Sequence, residues 1–434
     1  MNRVKKAGSK APTAHHEENT VKFTSRLTLV AALLATAGFA HAQTVLTVAS
    51  FKDLDRSVQA AIPLYKKVHP EVEIKLVALG YGDHHNAMTT ALATGANLPD
   101  VMGIEIGFVA KFAEGGGVED LSKPPYNALQ YKDKFFKFAV AQATSRGGIF
   151  AAMPADIGPG ALFYRKDLMD KAGVTEAQLT KSWPSFIDAG KTLKAKTGSF
   201  LIPHASAIKD IMIRSGLKDG EGIYFDGKGK VLVDSPRFVN AFETAKQARA
   251  AGIDAKIGAW SNEWSEGFKR GTIASEMMGA WLAGHLKNWI APDTKGNWRS
   301  AGIPGGVNAS YGGSFYAIPK GAKNKELAWD FVKFMTTNKE VQIAAFRELD
   351  AFPVLVDATN DAFVSQPIEF LGGQKAREQW KATAAKIPAT EVDKLDPVAQ
   401  EVVNAEFDKV LEQGKDVKAA LADAKKAIER RIRH

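Results

Sequence analysis

The sequence contains no cysteine, which excludes disulfides, thiolate metal ligands, a cysteine nucleophile and a lipid anchor on cysteine. It lacks a convincing membrane span: the uncharged run Leu27 to Ala40 is Ala-rich and short beside the roughly 20 residues a spanning helix needs. Enzyme signatures are also missing. No GxSxG elbow, GxGxxG turn, phosphate loop or HExxH helix occurs. Any ATP-driven step therefore belongs to a separate chain. The absence of repeats and low-complexity tracts argues against a structural or adhesive role. Acidic residues are plentiful, so a glycosidase-like carboxylate pair is a question of geometry that composition leaves open.

What is present fits a secreted globular protein. The chain has 434 residues, 45% hydrophobic and 24% charged, too long for one small core, so two domains are expected. Lys22 and Arg26, the apolar run after them and the small-residue site Ala40-His41-Ala42 form a secretory signal, with cleavage expected before Gln43. Met1 to Thr20 is polar and longer than such a signal needs, and Val21 is expected to be the initiator. The formal net charge is +9; residues 1–42 hold six Lys/Arg and two Asp/Glu, so their removal leaves +5. That charge is spread along the chain and suits solubility rather than nucleic-acid binding. The basic C-terminus continues a helical pattern (Val417, Ala420, Leu421, Ala424, Ile428) and reads as a solvated face.

From the N-terminal side, Thr44 to Phe51 reads as a strand, Leu54 to Val68 as a helix stopped by Pro70, Val72 to Leu79 as a strand and Asp83 to Thr94 as a helix ended by Gly95. Val101 to Glu105 is a short strand and Phe108 to Glu114 a helix. This alternation predicts a parallel α/β sheet with right-handed crossovers, whose ligands bind beyond the carboxyl ends of the strands. Ser50, Phe51, Asp53, Tyr81, Asp83 and Glu105 fall at or just after those ends. Further on, Gly148 to Pro154 reads as a strand broken by proline and Asp156 to Gly160 as a turn-rich passage. Ser182 is placed as a helix N-cap, and Phe238 to Ala251 as a helix ended by Gly252. Phe268 to Gly271 reads as a turn.

The stretch Glu276 to Met335 organises the rest. It holds an apolar strand ending near Gly279 and Trp281, a Pro/Gly passage at Ile303 to Gly306, the glycine pair Gly312-Gly313, a short strand Phe315 to Ile318 and an amphipathic helix. The ordered series Phe268-Lys-Arg-Gly271, Met278-Gly-Ala-Trp281, Gly296-Asn-Trp298, Tyr311-Gly-Gly-Ser314 and Asn324-Lys-Glu-Leu-Ala-Trp329 resembles the extracellular solute-binding proteins of family 1. These are the maltose-binding-protein-like sugar receptors of bacterial ABC importers. The resemblance covers nearly all of the chain after residue 43.

It implies an α/β, two-lobed periplasmic binding protein fold of type II, with three crossings between lobes and the ligand cleft between them. The expected lobes are 43–155 plus 302–352, and 156–301 plus 353–434, after the extension and signal of 1–42. The implied function is a periplasmic receptor that closes on a carbohydrate and delivers it to permease subunits of an ABC transporter in the inner membrane. It acts as a monomer without cofactor, metal, nucleic-acid partner or catalysis. The alternatives are the same architecture for a polyol, sugar phosphate or polyamine, or a secreted carbohydrate-active enzyme. A phosphate ester calls for Arg or Lys in the cleft, a polyamine for several carboxylates, and neither cluster is visible.

The implied ligand-binding set adds Asp156 on the cleft floor, the rings of Trp260, Trp264, Trp281 and Tyr311, and the backbone of Gly312 and Gly313. Aromatic rings suit the C–H faces of a sugar, and carboxylates such as Glu105 and Asp156 suit its hydroxyls. Trp183, Trp289, Trp329 and Trp380 are assigned to packing. Adjacent His84 and His85 point about 100° apart on a helix and so do not chelate one metal; a position on the cleft rim is expected. Arg165 stands where the family has asparagine and reads as a surface change.

Overall fold

The computed structural model describes residues 44–432. The expected signal, its cleavage site and the Val21 start lie outside the described residues, and among those described no helix is long and apolar enough to cross a membrane. Strands β1 (Thr44–Phe51), β2 (Val72–Leu79) and β3 (Val101–Glu105) are parallel, with Thr44 opposite Val72 and Val48 opposite Val101. Helices α1 (Leu54–Val68), α2 (Tyr81–Thr94) and α3 (Ile106–Glu114) follow them in turn. Each obeys its local signals: Gly95 closes α2 in the left-handed conformation, and Glu105 caps α3 by accepting from the Gly107 N–H at 2.8 Å.

The remaining strands are β4 (Met153–Arg165), β5 (Ser275–Gly279), β6 (Trp298–Ala301), β7 (Ser310–Ala317) and β8 (Phe352–Pro353). The sheet runs β2-β1-β3-β7-β4-β5, with β6 and β8 also on β4. The 13-residue β4 carries the architecture. Its first half pairs with β7 and β8 (Asp156 opposite Ser314 and Pro353), and its second half with β5 and β6 (Gly160 opposite Gly279, Arg165 opposite Trp298).

This corrects the reading of 148–160. The strand begins at Met153 and runs straight through Pro154, Asp156 and Gly160. The register shifts between Pro154 and Asp156 and between Ile157 and Pro159, so the prolines' missing N–H groups fall at irregularities where a ladder bond is not required. Likewise Gly312-Gly313 lie inside β7, which begins at Ser310, and Phe268 to Arg270 end the helix Asn262–Arg270, capped by left-handed Gly271.

Two hydrophobic cores adjoin the β4–β7 crossing. The first gathers Leu46, Val48, Ile104, Phe315, Phe331 and Trp380; the second gathers Leu162, Phe186, Phe242, Met277, Phe407 and Leu421. Beyond Pro353 the chain is shared, with Val354 to Ile387 supplying the first core and Ala399 to Ile428 the second. Tyr311 packs against both.

Arg165 is buried, not a surface residue. Its guanidinium donates to the Phe268 carbonyl at 2.8 Å and to the Asp167 carboxylate at 2.7 and 2.8 Å, so its charge is paired. Ser182 does cap its helix, accepting from the Ser185 N–H.

Candidate functional site

The carboxyl ends of β1 to β3 bring one group of predicted residues together. Tyr81, at the start of α2, is 49% exposed, meets the Phe51 ring edge-on at 5.8 Å, and donates its hydroxyl to Glu105 Oε2 at 3.1 Å. Glu105 Oε1 has no bonded partner among the described residues. Burial raises the Glu105 carboxyl above its usual range, and the Gly107 N–H and the Tyr81 hydroxyl oppose it. Ser50 is fully buried with its hydroxyl on the Phe51 carbonyl, Phe51 is 8% exposed, and Asp83 is exposed in the first turn of α2.

His84 and His85 are buried at 1% exposure instead of standing on a rim. His84 Nε2 donates to the Gly103 carbonyl at 2.7 Å. His85 accepts from the Glu105 N–H at 3.1 Å through Nε2, which leaves Nδ1–H to donate to the Tyr81 carbonyl at 2.8 Å. Stacked on Phe108 at 4.1 Å, His85 is kept neutral, its pKa pushed down to about 4 by burial. The pair stitches α2 to β3 and so positions Tyr81 over Glu105. Among the described residues no cluster suited to a metal ion occurs.

A second group lies on the crossing strands. Asp156 Oδ1 accepts from the Ser314 N–H at 3.0 Å, and burial raises its carboxyl to about 6 despite that bond. It lines a cavity of ≈ 10 Å³ with Leu54, Ser57, Tyr316 and Gln342. Gly312 has φ 77, and a Cβ there would stand 3.1 Å from the Trp281 indole nitrogen; Gly313 has φ 147 and would meet the Asp156 carbonyl at 3.3 Å. Both positions favour glycine for their conformation, and an added β-carbon would be tightly placed at each.

The third group is aromatic. Trp260 is 54% exposed and sits at φ 70, an unusual conformation for a bulky side chain. It stacks on Trp281 (centroids 6.0 Å, interplanar 22°), and Trp264 backs it at 5.0 Å. Trp264 itself is sealed from solvent, donating to Glu276 Oε2 at 3.0 Å, and thus supports the platform from behind. Trp281 donates to the Tyr311 carbonyl at 2.8 Å, and their rings lie 6.2 Å apart. An exposed, strained tryptophan held face to face by a second one is a ready apolar platform for a flat C–H surface.

Two residues absent from the sequence prediction join this site. His285 pairs with Asp53 at 3.0 Å and packs at 5.2 Å from Trp281 and 5.7 Å from Trp289. Asp53 occupies φ 84 at the start of α1. Burial pushes its carboxyl up, but the bond to His285 and the charges of Arg56 and Lys52 hold it below the usual value. Arg214 follows the helix Ser206–Ile213 and lies 4.4 Å over the Tyr311 ring. The spacing Trp281, His285, Trp289 is a helical i, i+4, i+8 face and could have flagged His285; no local pattern marks Arg214.

The family model described as bacterial extracellular solute-binding protein matches residues 49–342. The chain is 26% identical over 387 residues to a lactose-binding protein of Rhizobium radiobacter, covering 84% of this chain and 86% of that one. It is 27% identical to an arabinooligosaccharide-binding protein of Bacillus subtilis (strain 168), covering 64% and 65%. Among solved structures, the ABC transporter associated binding protein from B. animalis subsp. lactis Bl-04, in complex with β-1,6-galactobiose, superposes with a TM-score of 0.73 at 24% identity, covering 89% of this chain and 96% of that one.

Proposed function

Because the chain belongs to the bacterial extracellular solute-binding proteins, we propose that it is a periplasmic receptor that captures a carbohydrate between its lobes and delivers it to the permease of an ABC importer. The observation that carries this reading is the pairing of an exposed Trp260–Trp281 platform, bonded to the Tyr311 carbonyl of β7, with the half-buried Glu105 acceptor on β3, which lies opposite Ser314 of that same strand. A sugar ring offers C–H faces to the first and hydroxyls to the second. The lactose- and arabinooligosaccharide-binding relatives support the same ligand class.

The mechanism is a population shift. The empty receptor favours the open arrangement, a ligand touched by both lobes stabilises the closed one, and the closed form docks on the permease as a monomer. Closure bends the chain at the β4–β7 crossing and at β8. Transport is powered by an ATPase on another chain, and nothing in the cycle alters the sugar.

The test is a thermal-shift screen of the chain from Gln43 against sugars, polyols, sugar phosphates and polyamines. Ligand at about a hundred times Kd adds roughly 2.7 kcal/mol of stability, a rise of a few degrees in Tm. A shift by sugars, with the sugar recovered intact, is the expected result. A shift by polyamine or phosphate ester alone overturns the ligand class, and recovery of cleaved sugar overturns the receptor reading.

A further inference from the structure

Resting on the carbohydrate reading, we propose that His285 is a positioning residue for ligand recognition: held as an imidazolium between the Asp53 carboxylate and the Trp281 carbonyl, it fixes the carboxyl end of β1 against the Trp260–Trp281 platform. Its own helix, Leu282–His285, is anchored by Leu282 and by Leu286 beyond it, both sealed in the core that also takes Leu54 of α1. Gly284 lies against the Leu349 backbone, where a β-carbon would stand 1.8 Å from the carbonyl oxygen. The helix is thus held in place, and the partly buried His285 ring reaches Asp53 at the start of α1.

The hydrogen count identifies the charged form. His285 Nδ1 lies 3.1 Å from the Trp281 carbonyl oxygen, and Nε2 lies 3.0 Å from Asp53 Oδ2. Both partners only accept, whereas a neutral imidazole carries one N–H, so the two bonds coexist when both nitrogens are protonated. The extra proton does not sit on Asp53: against the upward push of burial, the bond to His285 and the charges of Arg56 and Lys52 keep that carboxyl below its usual value. Three indoles surround the ring, Trp281 at 5.2 Å, Trp289 at 5.7 Å and Trp260 at 5.8 Å. These distances fall within the roughly 6 Å over which an aromatic quadrupole attracts a cation. Asp53 departs from local rules to make the pair. It stands at the start of α1 with φ 84, and its side chain makes no capping bond. Among the described residues its Oδ1 has no bonded partner, so one oxygen is committed to His285 and the other is left for a ligand hydroxyl.

Among the described residues Asp53 is the one carboxylate paired with His285. Around Asp53 itself stand Lys52, Arg56 and Asp55, the last accepting the Asp53 N–H at 2.8 Å. On the helix Asn262–Arg270, Glu266 is taken by Lys269 at 2.8 Å, and Glu263 makes no bond to His285. On the helix Lys339–Leu349 and just beyond it, Arg347 pairs with Asp361 at 3.8 Å, Asp350 pairs with Lys287 at 3.0 Å, and Glu348 meets Asn288 through its carbonyl, not its carboxylate. When the imidazolium loses its proton, a bare ring nitrogen faces either the carboxylate or the carbonyl. One of the two bonds is then lost, and Asp53 is no longer tied to the platform. Affinity should therefore fall as pH rises through the range in which a histidine changes charge.

The experiment is calorimetric titration of the chain from Gln43 with lactose, maltotriose and β-1,6-galactobiose at about pH 5.5 and about pH 8.5, on either side of the ordinary histidine range. At least one sugar should bind fivefold or more tightly at the lower pH. His285→Gln should weaken that sugar at least fivefold there and remove most of the difference between the two pH values. Asp156 and Glu276, raised by burial to about 6 and about 7, also titrate in this interval, so the decisive quantity is the change that His285→Gln makes to the pH dependence. An unchanged pH dependence overturns the proposal, whether affinity is kept or uniformly lowered, because a uniform loss is what packing alone would give. Nitrogen NMR spectra of the empty protein should show both ring nitrogens of His285 protonated at about pH 6, and Asp53→Asn should remove one of those hydrogens. That measurement decides the matter should His285→Gln fail to fold, and a single N–H at that pH overturns the clamp. If none of the three sugars binds, the carbohydrate reading falls, while the spectra still decide the clamp.

Discussion

Gly158 of β4 lies so close to Tyr311 of β7 that a β-carbon on the glycine would stand 1.9 Å from the Tyr311 carbonyl oxygen. That carbonyl also accepts the Trp281 indole N–H, so the contact fixes the aromatic platform together with the crossing of the two strands. Gly158→Ala should destabilise the protein by about 1–3 kcal/mol or more, because backbone, not a flexible side chain, must move. The urea midpoint should fall with an unchanged slope. Gly82→Ala, where nothing lies within 4 Å of the added carbon, should be neutral or slightly stabilising. Equal midpoints for the two variants would remove Gly158 from its assigned role.

Trp260 separates affinity from stability. Its ring is exposed and its φ of 70 is strained, so Trp260→Gly should leave the empty protein as stable as before, or about 1 kcal/mol more so. The same change should weaken sugar binding by tenfold or more, about 1.4 kcal/mol, through loss of the stacking face. Chemical denaturation and calorimetric titration of one preparation give both values. A drop in stability with affinity intact would make Trp260 a structural residue.

Glu276 gives the stability a pH dependence. It is 1% exposed, and burial raises its carboxyl to about 7 against the hydrogen bonds from Trp264 and the Met277 N–H. Its folded pKa exceeds the unfolded value, so the native state favours the protonated form. Its contribution is complete below the ordinary carboxylate range, near pH 4.5, and is lost as pH rises through about 7. The loss amounts to roughly 3 kcal/mol at 1.36 kcal/mol per unit. Glu276→Gln, which keeps an acceptor for one of those donors, should flatten the decline between pH 4.5 and 7 in urea titrations. An unaltered decline would assign it to other groups.

Much of the fold was legible because its signals are local. The periodic apolar residues of Thr44–Phe51 and Leu54–Val68, the glycine after α2 and the serine before the 183–197 helix act within a few residues, and all formed as read. The passage 153–160 was misread for a physical reason. Two prolines and two glycines in eight residues resemble a turn, yet here the glycines admit a neighbouring backbone and the prolines fall at register shifts. Arg165 was misread because its polarity alone says surface, whereas Asp167 and the Phe268 carbonyl satisfy its charge in the interior.

The sequence by itself determined the alternating β and α elements and the family, since these rest on periodicity and the order of short motifs. Tertiary structure alone decided which of two tryptophans four residues apart faces solvent, Trp260 at 54% exposure or Trp264 at 0%. It alone brought Arg214 over Tyr311, 97 positions along the chain. Such convergence depends on how two cores fold against one shared pair of strands, and a pattern confined to neighbouring residues carries no record of it.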